Sequence, residues 1–342
     1  MFAGQSNTFS GRCLMQAQSP RVTIVIPNWN GLTHLPECLG ALTAQSFVDH
    51  EVVVVDNASS DGSVEWVRSH YPDVRILELA HNAGFSGAVN AGMLDARTEY
   101  VALLNNDTSA EMGWLQALVA ALDTHRAYDV AASQMVLYDS PELLNAAGDV
   151  YLLGRMAGKN RGYGRPAARY GTMERVLGAC AGAALYRRSV FDEVGLFDED
   201  FFLLSEDTDF NLRCLIAGKR CLYVPKARVR HKVRATIDTE PFAKTACLAA
   251  RNEAIVAGKC LPTIILLLIP ILWPYRLIRQ TLPVRPSKWR LWPTLIRLVP
   301  TRVLAEARGF RLGLAKRPAA WRLQAVGTLQ IIRWLVKGYG PA

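Results

Sequence analysis

The chain has 342 residues, half of them apolar, with 39 Lys and Arg against 30 Asp and Glu. This excludes a disordered or fibrous polymer and leaves enough length for a large core in one domain or two. The net charge of +9 is unevenly spread: from Arg251 onward 16 basic residues face only Glu253 and Glu306, so a mildly acidic globular part carries a strongly basic tail.

Met1 to Pro20 is polar and lacks the apolar segment of a signal peptide, so residues 1–20 read as a loose leader. Val22-Thr23-Ile24-Val25-Ile26 predicts a strand closed by Pro27, with Asn28-Trp29-Asn30-Gly31 as its loop. Thr33 is placed to cap a helix running through Leu35, Leu39 and Leu42. Glu51 to Val55 predicts a second strand ending on Asp56, and the loop Asn57 to Ser63 leads into a helix with Val64 and Val67. A third strand is predicted over Val74 to Leu79, followed by His81-Asn82-Ala83-Gly84-Phe85-Ser86-Gly87 and an Ala/Gly-rich helix to about Ala96. Tyr100 to Leu104 is a continuous apolar run, which suits a strand buried on both faces, and it leads into Asn105-Asn106-Asp107-Thr108.

Strands alternating with helices imply a parallel sheet, and right-handed crossovers bring the strand ends to one rim. Asp56, Asn82, Gly84 and Asp107 converge there. A carboxylate at that rim suits a divalent cation bridging a diphosphate; residues 105–108 equally suit a simple turn. No G-x-G-x-x-G follows the first strand, which sets a dinucleotide-dependent oxidoreductase aside.

Residues 130–175 lack strong periodicity and carry glycines among Arg155, Lys159, Arg161 and Arg165, so they read as a mobile basic insertion near bound phosphate or as a solvated loop. Arg187 and Arg188 open a helix that faces Phe191 and Val194 inward and ends at Gly195. Ser205 is a good N-cap for a helix with Phe210, Leu212, Leu215 and Ile216. Glu206 and Asp207 fall in its first turn, where the positive helix end stabilises acids, and Asp209 is spaced to pair with Arg213. The strand Cys221 to Val224 precedes Pro225 and a basic run, Arg228 to Arg234, that contains His231. The Arg251-Asn252 pair has no derivable role. Leu261 to Trp273 is the most apolar stretch, yet it is short for a spanning helix and interrupted by Pro270, with Pro274 just after it. Trp, Leu and Arg interleave from there to Tyr339, which suits helices on an anionic membrane surface or a folded helical unit; a nucleic acid has no use for the apolar run. The seven cysteines are scattered without a C-x-x-C pair, against a disulfide framework or zinc site and for a reducing compartment.

Five blocks together resemble the GT-A-fold glycosyltransferases of family 2, particularly the rhamnosyltransferase-like branch: Val22 to Gly31, Val55 to Ser63, Asn82-Ala83-Gly84-Phe85 with Asn90, Leu104 to Asp107, and Gly178 to His231. The resemblance implies an α/β GT-A fold, a wound and mostly parallel sheet with helices on both faces, over residues 21–260. Its nucleotide-binding half is expected at 21–110 and its acceptor and catalytic half at 111–260. A basic, largely helical, membrane-associating region is expected at 261–342. By the same resemblance Asp56 accepts from a pyrimidine N–H of the donor nucleotide, Pro27 and Asn30 line that pocket, Asp61 reaches the ribose, and Asn82, Gly84 and Phe85 cover the base. Asp56 and Asp61 also suit plain turns. Asp107 matches the last acid of the family's D-x-D-like motif, with Asn105 and Asn106 in place of the earlier acids. A divalent metal, Mg2+ or Mn2+, is therefore expected to bind at Asp107, weakly without donor, with His231 on the metal or diphosphate and Asn106 beside the donor.

The resemblance makes Asp207 the base that takes the acceptor proton in an inverting transfer, with Glu206 as the alternative or as an acceptor-orienting group. The expected reaction moves a sugar, rhamnose from dTDP-rhamnose above others, to a lipid-linked or growing surface glycan. The expected location is cytoplasmic, on the inner face of the membrane. The rival reading is a catalytically silent GT-A-like glycolipid-binding or scaffold protein, which has no need of Asp107, Glu206 and Asp207. A nucleotidyltransferase would want a Gly-rich, basic loop where Asn28-Trp29-Asn30-Gly31 stands.

Overall fold

The computed structural model describes residues 19–233, 242–274 and 297–337. Most of the expected leader, Arg234, and the stretch holding Arg276, Arg279, Trp289 and Trp292 lie outside them. Strands β1 (Val22–Asn28), β2 (His50–Asp56), β3 (Arg75–Glu78) and β4 (Tyr100–Leu104) alternate with helices α1 (Leu35–Thr43), α2 (Ser63–His70) and α3 (Gly84–Asp95). β1 lies between β2 and β4, Val25 in parallel register with Val53 and Leu103, and β3 pairs parallel with β2. β1 and β4 look largely apolar because both faces are covered, but the period of two survives in the packing. Val22, Ile24 and Ile26 join a cluster with α1 and with α4 (Trp114–Thr124), whereas Val25 joins one with α3.

The other half of the sheet is mixed. β11 (Ala183–Arg187) runs antiparallel between β4 and β6 (Val130–Leu137), and β12 (Cys221–His231) lies parallel to β6. β5 (Thr108–Ala110) pairs with β12, which brings the end of the β4 loop to His231. α5 (Ser189–Val194) and α6 (Glu206–Ile216) cover the α3 side, with Phe191, Val194 and Phe210 buried.

Residues 130–175 do not form an insertion without structure. After β6 come β7 (Ser140–Ala147), β8 (Asp149–Leu152), β9 (Ala157–Asn160) and β10 (Glu174–Val176), with β6–β7 and β8–β9 paired antiparallel. Their periodicity is hidden because β6 is buried almost throughout and β8 and β9 are four residues each. Two expected caps also fail. α1 begins after His34, with Pro36 in its first turn and no side-chain cap. Ser205 does occupy the N-cap position of α6, but at φ 67 its side chain caps nothing; an N-cap hydroxyl reaches the N2 or N3 amide from extended backbone.

C-terminal helices α7 (Phe242–Cys260), α8 (Thr263–Leu266), α9 (Val299–Trp321) and α10 (Thr328–Lys337) follow. α9 lies tightly on α7 because Gly309 and Gly313 carry no side chain: a Cβ there would sit 2.2 Å from the Arg251 carbonyl oxygen and 2.3 Å from that of Ile255. A third apolar cluster joins Phe201, Leu212 and Leu215 to Ile255, Leu261, Ile331 and Leu335, drawing on both sides of position 260. Among the described residues no helix is long and apolar enough to cross a membrane. Six described cysteines are free thiols, as the scattered pattern implied.

Candidate active site

β1 and β2 end side by side, Asn28 opposite Asp56. Asn28 Nδ2 donates to Asp56 Oδ1 (3.1 Å) and Ser63 Oγ (3.0 Å), and its Oδ1 accepts from Asn106 Nδ2 (2.7 Å). Asp56 is buried and its second oxygen accepts from Ser59 N (2.9 Å). One asparagine thus ties the tips of β1, β2 and β4 together. Pro27 precedes it in β1, opposite Val55. Asn30, at φ 49, accepts from Ser60 N (2.8 Å). Asp61 accepts from Leu32 N (2.8 Å) and Ser63 Oγ (2.6 Å); burial raises this carboxyl, but those bonds outweigh it and hold it below its ordinary range.

Asn57 fastens the next loop. Its Nδ2 donates to Asn82 Oδ1 and to the Gly84 carbonyl (both 3.0 Å), and its Oδ1 accepts from Ala83 N (2.8 Å). Gly84 has φ 72, and a Cβ there would lie 2.4 Å from the Phe202 carbonyl oxygen. Phe85 N donates to that same carbonyl (2.6 Å). The loop expected to cover the base therefore touches the turn that precedes Glu206 and Asp207.

Asp107 is buried, and His231 Nε2 stands 3.2 Å from its Oδ1. His231 Nδ1 lies 3.0 Å from Asn145 Oδ1 on β7. Burial pushes the Asp107 carboxyl up, but the His231 hydrogen bond and charge outweigh it, leaving Asp107 below the usual carboxylate range. The Oδ1 of Asn105 is buried without a hydrogen-bond partner. Among the described residues no cluster of three His, Cys, Asp or Glu side chains forms a closed metal site. The donor set is one carboxylate and one imidazole whose far nitrogen is held by an amide.

Glu206 and Asp207 open α6. Glu206 is buried, its Oε2 has no hydrogen-bond partner, and burial beside Asp207 raises its carboxyl to about 8. Asp207 is part-exposed; its Oδ1 accepts from Thr208 N (2.7 Å), and burial of its surroundings raises its carboxyl. Sequence reasoning missed a third acid. Asp149 is buried at the start of β8, where its Oδ2 accepts from Asn211 Nδ2 (3.0 Å), one turn along α6 from Asp207. Burial, then the charge of Asp207, lifts Asp149 well above the carboxylate range. Its only sequence signal was an acid after Gly148. Asp209, expected to be structural, is fully buried and binds Arg213 Nε (2.8 Å) and Lys259 Nζ (2.9 Å).

The family model described as Glycosyl transferase family 2 matches residues 23–195, half of the chain. An N-acetylglucosaminyl-diphospho-decaprenol L-rhamnosyltransferase of Mycobacterium tuberculosis is 30% identical over 251 residues, covering 65% of this chain and 78% of the relative. A pre-mycofactocin glycosyltransferase of the same organism is 30% identical over 227 residues, 63% of this chain but 43% of its own length. Among solved structures, GalNAc-T7 with UDP, GalNAc and Mn2+ superposes with a TM-score of 0.59 at 15% identity, covering 89% of this chain and 57% of that one. At that identity the likeness establishes the GT-A fold.

Proposed function

The chain belongs to glycosyl transferase family 2 and is a glycosyltransferase, and from that premise we propose that it inverts the configuration of the sugar it transfers, with Asp207 as the base. One observation carries this reading: a part-exposed carboxylate at the start of α6 stands beside the buried Glu206, in a segment that touches the Gly84–Phe85 loop. In transfer the acceptor oxygen attacks the anomeric carbon, the bond from that carbon to the diphosphate breaks, and the acceptor proton passes to Asp207. Asp207 Oδ1 is held by Thr208 N, which leaves Oδ2 to meet the acceptor. Glu206, protonated at neutral pH, orients the acceptor hydroxyl by donating to it.

The donor nucleotide lies along the rim at Pro27, Asn30, Asp56, Asp61, Asn82, Gly84, Phe85 and Asn106. The residues at Asp107 fit a divalent cation, Mg2+ or Mn2+. The Asp107 carboxylate supplies a hard ligand, and Asn145 fixes the far nitrogen of His231, as metal-binding imidazoles require. Among the described residues Asp107 and His231 are the two that would hold the cation, which would leave its remaining positions to the diphosphate. The cation, when bound, neutralises the diphosphate as it leaves.

The relative named as a rhamnosyltransferase acts, by its name, on N-acetylglucosaminyl-diphospho-decaprenol. That supports dTDP-rhamnose as donor and a lipid-linked glycan as acceptor here. We read the enzyme as working at the inner face of the cytoplasmic membrane, where a lipid-linked acceptor would meet a nucleotide sugar. Ile264, Leu267 and Ile271, 58–73% exposed, form the apolar contact beside a basic tail. Incubating the full chain with dTDP-rhamnose, Mn2+ and N-acetylglucosaminyl-diphospho-prenol tests this: release of dTDP with a rhamnosylated lipid supports it, and transfer from UDP- or GDP-sugars alone refutes the donor.

A further inference from the structure

Just ahead of Glu206 the backbone is in trouble. Phe202, Leu204 and Ser205 have φ of 60, 71 and 67, conformations that cost non-glycine residues about 1–3 kcal/mol each. Phe202 centres a tight turn in which Leu203 N donates to the Phe201 carbonyl (2.6 Å), the strained hand of the γ-turn. Such a segment persists only where its surroundings over-determine it. Residues from three directions do so. From the rim, Phe85 N grips the Phe202 carbonyl. From α6, Asp209 N takes the Ser205 carbonyl (3.0 Å). From the C-terminal helices comes Asn252, which is fully buried. Its Nδ2 lies within hydrogen-bond distance of the carbonyls of Phe201 (2.9 Å), Leu203 (2.9 Å) and Leu204 (2.8 Å), which share its two protons. Arg251 Nη1 donates to Asn252 Oδ1 (2.8 Å) and to the Asp200 carbonyl (2.7 Å), which fixes the amide with its nitrogen toward the turn.

We propose that Arg251 and Asn252 are positioning residues for transfer: α7 clamps residues 200–205 in the strained form that sets Glu206 and Asp207 toward the donor. The pair had no role readable in the sequence, and the proposal rests on the reading of Asp207 as base. The clamp is braced from behind. Gly309 of α9 presses on the Arg251 backbone, and Lys259 Nζ ties α7 to Asp198 (2.7 Å) and to Asp209 on α6. The C-terminal helices thus belong to the catalytic machinery, and do more than attach it.

The test uses the full chain. Asn252→Ala should lower kcat about 100-fold, the loss expected when a reacting group moves by an ångström, with the KM for dTDP-rhamnose changed less than threefold. Adding Leu204→Gly, which relaxes a positive φ, should recover at least about tenfold of that loss. A side chain that merely stabilises the fold would not be rescued this way. Hydrogen exchange across residues 199–210 reads the clamp without substrate, and Asn252→Ala should raise it while protection of β1 and β4 stays. Where Asn252→Ala does not fold, the part-exposed Arg251→Ala takes its place, with a kcat loss of about tenfold. A variant that folds and keeps kcat within twofold, or exchange over 199–210 equal to the parent, overturns the clamp. A parent chain inactive with every nucleotide sugar would instead refute the transferase reading, and the exchange result would still decide the clamp.

Discussion

Glu206 keeps its proton at neutral pH because its carboxyl is buried beside another acid, and this has a consequence for stability. A carboxyl raised from 4.5 to about 8 on folding stabilises the folded state fully below pH 4.5 and loses that contribution as pH rises through about 8. Asp207 and Asp149 are raised too, so their contributions have the same sign. Glu206→Gln should therefore narrow the gap in melting temperature between pH 5 and pH 9 and leave the variant more stable than the parent at pH 9; an unchanged gap would mean that Glu206 is ionised throughout. At the rim, the proposed cation site is tested by Asp107→Asn, which should weaken Mn2+-dependent dTDP-sugar binding at least about tenfold by calorimetry, with binding in EDTA unchanged. The positions of Asp107, Glu206 and Asp207, after a strand and at a helix start, were legible in the sequence, whereas the roles proposed for them come from the family resemblance. Asp149 and Asn252 were not, since their partners lie 62 residues away at Asn211 and about 50 away at Phe201 to Leu204.

At the scale of elements, the four parallel strands and their helices could be read from apolar runs ending in Asn, Asp and Gly. The capping and the mixed half of the sheet could not. Thr33 and Ser205 are the right residue types for caps, but the chain enters α6 through left-handed residues that an N-cap hydroxyl cannot use. β8 and β9 are four residues long, below what periodicity can resolve. One close contact between the two halves is Gly84 against Phe202. Gly84→Ala should cost about 1–3 kcal/mol through its φ and displace the Phe202 carbonyl, so thermal stability and donor affinity should fall together. A variant with the parent's melting temperature would show that the contact is loose.

For the molecule as a whole, the tail's basic excess and the apolar face of residues 264–271 are read as one membrane-binding surface. Replacing Ile264, Leu267 and Ile271 by Glu should abolish flotation with vesicles rich in anionic lipid while sparing turnover of a water-soluble acceptor; undiminished flotation would clear this face of the role. The parent's binding should weaken as ionic strength rises from 0.05 to about 0.5 M, because exposed charges are screened within about 10 Å at 0.1 M. A truncation near Lys259 is the wrong tool, since Lys259 ties α7 to the helix that carries Asp207 and α9 packs on α7. Transfer with Asp207 as base is tested by single-turnover transfer from dTDP-rhamnose by the full chain and its Asp207→Asn variant. The product should have inverted anomeric configuration, and the variant's rate should be lower by about a thousandfold or more with an unchanged donor Kd. Turnover in Asp207→Asn within tenfold of the parent would contradict it.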